Sequence, residues 1–105
     1  MSMTREEILA AIKERVLSVI PDARVMLFGS RARGDWHEES DWDILVLTQQ
    51  EVTDELDDKV FKAVYPISFK TFYVIQTVVA NVKDWEHHPG WYPLWLSTKD
   101  DLVTI

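Results

Sequence analysis

The sequence predicts an α/β (α+β) domain, a small mixed β-sheet flanked by helices. Three observations lead there. Helical and strand patterns alternate along the chain in the order α-β-α-β-α-β. Trp42 to Thr48 is apolar apart from Asp43, the pattern of a central strand covered on both faces. With 105 residues, 47% of them hydrophobic, and five tryptophans, the chain can fill one modest core. It shows no internal repeat, low-complexity tract or linker, so residues 1–105 are expected to form a single domain.

The elements follow in order. Thr4-Arg5-Glu6-Glu7 fits a capping box, in which the Thr4 hydroxyl and the Glu7 carboxylate each accept from a backbone N–H. Ile8, Leu9, Ile12, Val16 and Ile20 then recur at helical spacing, so 4–20 reads as an amphipathic helix, ended by Pro21-Asp22. Arg24 to Phe28 is β-prone. Gly29-Ser30 breaks it, and 30–34 begins a short helix or helical turn before a polar, acidic loop over 35–41. After the strand Trp42–Thr48, residues 53–64 read as a helix capped by Thr53, with Leu56, Val60, Phe61 and Val64 on one side. Pro66 is expected to open a β-rich stretch from Ile67 to Val79, as one strand or two joined by a bend. His87-His88-Pro89-Gly90 reads as a loop, Trp91 to Ser97 as a short helix and Leu102 to Ile105 as a last strand.

Composition narrows the function. A formal charge of −7, from 18 acidic against 11 basic residues, opposes a phosphate backbone and disfavours long nucleic acid as a partner. One nucleotide held by a metal and a few donors is compatible with that charge. The absence of cysteine excludes disulfides and thiolate metal sites. Charged residues at Arg5, Glu6 and Glu7 do not suit a secretory signal, and no apolar run is long enough to span a bilayer. A soluble, cytoplasmic protein is expected.

Two motifs carry chemistry. A strand ending in Gly29-Ser30 and running into a helix suits a phosphate: glycine lets backbone approach an anion, and serine adds N–H and hydroxyl donors. The free amides and positive dipole end of the following helix add to the attraction. Arg31 and Arg33 could bond phosphates or pair with nearby acids. A dozen residues on, Asp41 and Asp43 stand i, i+2 about a strand, so both side chains share one face while Trp42 points to the other. Carboxylates about 7 Å apart along the backbone can converge on Mg²⁺ (or Mn²⁺), with triphosphate oxygens completing its shell. An acid at the mouth of the buried run Ile44-Leu45-Val46-Leu47 needs a metal, an arginine or water beside it.

The string Phe28-Gly29-Ser30-Arg31-Ala32-Arg33-Gly34-Asp35, then Ser40-Asp41-Trp42-Asp43-Ile44-Leu45-Val46, resembles the signature of minimal nucleotidyltransferases of the DNA polymerase β-like superfamily. Gly29, Ser30, Asp41 and Asp43 match its helix-leading Gly-Ser and its Asp-x-Asp. The resemblance covers residues 27–47 closely. It implies a palm-like fold, a nucleoside triphosphate substrate with Mg²⁺ (or Mn²⁺), and in many such proteins a small helical partner. It also implies a third carboxylate on a neighbouring strand. That strand is expected within Ile67 to Val79, which holds no Asp or Glu. Ser68, Lys70 and Thr71 are the candidates for the position, and a Lys70 ammonium would oppose a second cation. Glu38 or Glu39 from the loop could substitute.

Other features have plainer readings. Trp85, Trp91, Tyr92 and Trp95 could stack a base or meet a partner, but are read first as core. His87 and His88 read as a solvated loop, and His37 lies in the loop before the aspartates. The acids of Glu51 to Asp58 read as the N-terminal turns of a helix. Two functions are expected from this pattern. One is transfer of a nucleoside monophosphate to a hydroxyl on a protein or small molecule. The other is a non-catalytic nucleotide- or partner-binding module, antitoxin-like, lacking the third carboxylate. A relic that binds nothing is a third possibility.

Overall fold

A computed structural model describes residues 3–105. Helix α1 spans Arg5–Val19, with Thr4 and Glu7 forming the reciprocal capping box. Strand β1 spans Arg24–Phe28, the short helix α2 Ser30–Arg33 and strand β2 Trp42–Thr48. Helix α3 runs Asp54–Thr71, capped by the Thr53 side chain on the Leu56 N–H. Strand β3 is Ile75–Asn81, followed by helices α4, Val82–Trp85, and α5, Tyr92–Thr98, and by strand β4, Val103–Thr104.

The four strands lie in the order β3-β2-β1-β4. β1 is antiparallel to β2 and to β4, whereas β2 and β3 run parallel and are joined across the sheet by α3. The sheet is therefore mixed. β2 is its most buried strand, and its alternating side chains supply two cores. Trp42, Ile44 and Val46 pack with Ile8, Ile12 and Val16 of α1 and Val60 and Val64 of α3. Leu45 and Leu47 pack on the other face with Met26, Phe28, Ala80 and Trp85. Trp91 and Trp95 rest against this second core, so most of the Trp-rich end closes the domain, while Tyr92 stays exposed.

One segment departs from the sequence expectation. Ile67 to Thr71 is helix, and Pro66 lies inside α3. The buried side chains Val60, Val64 and Ile67 continue one helical stripe through the proline, so packing outweighs the lost backbone hydrogen bond. Phe61, Tyr65 and Phe69 fall on the outer side of the helix and are exposed. Phe72, in left-handed conformation with φ +64°, ends it. Ser68, Lys70 and Thr71 are thus helical, and none of them stands on the strand beside β2. No described helix is long and apolar enough to cross a membrane.

Candidate active site

The register of the sheet assembles the site. Phe28, the last residue of β1, pairs with Asp43, and Asp43 pairs in turn with Gln76 of β3. Asp43 lies two residues before Leu45, on the face away from Trp42, at the end of the sheet where β1 turns into α2. Asp41 just precedes the strand, and its Oδ2 accepts a hydrogen bond of 2.9 Å from the Gln76 Nε2.

Gly29 makes the turn, with φ +76°, a region that side chains disfavour. A β-carbon there would overlap the Asp43 Oδ2 and stand 3.2 Å from its Cγ. Glycine is required both for the turn and for the approach of backbone to carboxylate. The Gly29 carbonyl accepts from the amides of Ala32 and Arg33, each at 3.0 Å, which winds the single turn of α2. A helix of four residues has little dipole, so any attraction for an anion would rest on the half-buried turn's backbone, the Ser30 hydroxyl and the nearby cation.

That cation is Arg33. Its side chain is exposed and pairs loosely with Asp35 at 3.4 Å and Asp101 at 3.8 Å. Its charge also reaches Asp43. Burial pushes the Asp43 carboxyl above its ordinary range, the Asp41 charge pushes it further the same way, and Arg33 opposes both. Among the described residues no donor bonds the Asp43 carboxylate.

Arg31 has a different role from the one its neighbour can play. It is buried, and its Nε and Nη2 donate to the Ser40 carbonyl at 3.3 and 3.0 Å, with Nη2 also reaching the Glu38 carbonyl at 3.3 Å. The guanidinium lies 4.6 Å from the Trp36 ring centre, 4.5 Å from that of Trp42 and 5.0 Å from that of Tyr73. These contacts direct it into the loop that carries Asp41, so Arg31 ties that loop to α2. His37 is folded into the same loop: its backbone N–H donates to the Ser40 Oγ, and its Nδ1 accepts from the Glu39 N–H.

A cavity of about 670 Å³ opens beside this loop, lined among others by Arg5, Trp36, Glu38, Glu39 and Tyr73. Gly29, Ser30, Asp41 and Asp43 do not line it. Glu38 and Glu39 belong there, and among the described residues no third acidic or imidazole side chain joins the aspartates in a ligand group. Two carboxylates at a strand end, one of them without a protein donor, are a hard oxygen pair that could hold a divalent cation only with further ligands from outside the described residues.

Comparison with known proteins decides the family. The model of the nucleotidyltransferase domain family matches residues 5–87. The chain belongs to that family. A relative from Methanocaldococcus jannaschii, named a "putative protein adenylyltransferase", is 36% identical over 75 residues, which span 70% of this chain and 76% of that protein. A crystal structure of a "putative nucleotidyltransferase" from Sulfolobus solfataricus superposes with a TM-score of 0.58 at 25% identity, covering 92% of this chain and 75% of the other. Within this nucleotidyltransferase domain the residue missed by sequence reasoning is Gln76. Its signal was hidden because the strand beside β2 was expected to start before it; the register with Asp43 reveals it.

Proposed function

We propose that this domain transfers a nucleoside monophosphate from a nucleoside triphosphate to a hydroxyl on a protein or small molecule. The approach of the Gly29 backbone to the Asp43 carboxylate carries this reading, because a triphosphate on the turn and a cation on the acid would then lie side by side. Gly29 and Ser30 would receive the triphosphate, Arg33 would neutralise part of its charge, and Asp41 and Asp43 would hold Mg²⁺ or Mn²⁺. The bound cation would supply charge neutralisation at the phosphates. The acceptor oxygen would form a bond to the α-phosphorus as the bond from that phosphorus to the bridging oxygen breaks. Pyrophosphate would leave and the hydroxyl proton would pass to solvent. The name of the Methanocaldococcus relative supports a protein side chain as acceptor and an adenine nucleotide as donor.

Titration of Mg²⁺ with a panel of nucleoside triphosphates, followed by tryptophan fluorescence, tests the reading. Saturable, metal-dependent binding is expected in wild type and should vanish in the Asp41→Asn/Asp43→Asn double variant. Binding retained in the double variant would remove these residues from the site.

A second reading, a partner-binding module of a toxin–antitoxin type, is favoured by a different observation. Phe61, Tyr65 and Phe69 form an exposed stripe on α3, with Phe72 92% exposed beyond its end. Under that reading a small helical partner would bind the purified domain without nucleotide, and substitutions in the stripe would abolish binding while the aspartate variants would not.

A further inference from the structure

We propose that Gln76 is a positioning residue that orients Asp41, and that a neutral side chain standing there in place of an acid leaves the site with a single divalent cation. The inference rests on the metal-binding reading of Asp41 and Asp43 and deepens it. β3 runs parallel beside β2 with Gln76 opposite Asp43, so their side chains leave the same face of the sheet. The strand position nearest the aspartate pair is therefore held by a neutral carboxamide. Its Nε2 donates to the Asp41 Oδ2 at 2.9 Å. The part of the amide that faces the carboxylates is a donor, and a donor has no lone pair to offer a cation. Asp41 gains a fixed direction from this bond, and one of its oxygens is partly used by it.

Charge sets the count. Two carboxylates offset one divalent cation, and a bound triphosphate shares that ion through its own oxygens. A second cation close to the first needs another anion beside it to offset their mutual repulsion. Among the described residues no third acid joins the group, and Lys70, in α3, is not on the strand beside it. Gln76 is exposed on an edge strand, so a carboxylate of the same shape fits there without repacking the core.

The test counts Mn²⁺ by electron paramagnetic resonance of the free ion, with the metal alone as probe. Wild type is expected to bind one ion per chain. Gln76→Glu, and independently Gln76→Asp, should bind two. Gln76→Ala should keep a stoichiometry of one with affinity weakened about tenfold, the scale for losing a group that orients a metal ligand. A circular dichroism melt of each variant checks that it folds. Two ions bound by wild type, or one ion bound by both acidic variants when folded, would overturn the inference and leave the Asp41/Asp43 reading intact. No Mn²⁺ bound by wild type, or undiminished binding in Asp41→Asn/Asp43→Asn, would overturn both.

Discussion

Gly29 and Asp43 are packed so closely that a β-carbon on the first would overlap the carboxylate oxygen of the second. This contact couples the turn after β1 to the acid on β2, two segments separated in sequence by an exposed loop. Gly29→Ala therefore meets two costs, a backbone at φ +76° and a collision with Asp43. Urea denaturation should show a loss of about 1–3 kcal/mol from the backbone alone, with the collision adding to it. In an Asp43→Ala background the collision disappears and the backbone cost stays. The glycine substitution should then cost measurably less, and a cycle that is simply additive would refute the contact.

Arg31 illustrates how one basic residue in a phosphate motif can serve structure. Three hydrogen bonds to the Ser40 and Glu38 carbonyls and contacts with three aromatic rings fix it under the loop that presents Asp41. Lysine keeps the charge and loses the planar fork. Arg31→Lys is expected to destabilise the domain by about 2–3 kcal/mol in urea. Arg33→Lys, on an exposed and loosely paired side chain, should change stability by less than about 0.5 kcal/mol. Equal stability of the two variants would show that Arg31 is not held as described.

What the sequence made legible was what local rules govern. The capping box at Thr4, the bounds of β1 and β2 and the glycine turn all follow from short-range chemistry, and the structure has them where the pattern predicts. The aspartate spacing likewise places Asp43 opposite Trp42. Register between β2 and β3 is a long-range property, set by where α3 ends. There Pro66 and the aromatic run Phe69, Phe72 and Tyr73 suggested strand, while the spacing of Val60, Val64 and Ile67 argued for continued helix. Packing followed the second signal. Because α3 runs to Thr71, β3 begins at Ile75 and brings Gln76, not Ser68, Lys70 or Thr71, beside Asp43. The distinction between Arg31 and Arg33 was equally hidden, since it depends on which side of a single helical turn faces the core.

The proline itself gives a stability test. Pro66 is exposed within α3, where its ring cannot donate a backbone hydrogen bond. Replacing it with alanine restores the N–H and removes nothing from the core. Pro66→Ala is expected to raise stability, by up to about 3 kcal/mol on the helix-propensity scale. The gain should appear as a higher midpoint in urea with an unchanged slope. A lower midpoint would mean that the proline ring itself is needed to seat Val64 and Ile67.

Asp43 gives the pH dependence its sign. Burial first, and the Asp41 charge second, raise its carboxyl above the ordinary 3.8, with Arg33 opposing. The folded state then holds this proton more tightly than the unfolded chain does. Without a cation, the stability linked to the proton is fully present below the unfolded value and is lost as pH rises through the folded one. Asp43→Asn never ionises, so its advantage over wild type should be small near pH 4 and grow until the wild-type group is fully ionised. Thermal melts in chelator from pH 4 to pH 8 would follow this as a widening gap in Tm, with the variant the more stable protein. Added Mg²⁺ should reverse the order at neutral pH, raising the Tm of wild type and leaving Asp43→Asn unchanged. A variant less stable than wild type in chelator would mean that the Asp43 charge is already compensated within the chain, and the reason for assigning a cation to it would fall away.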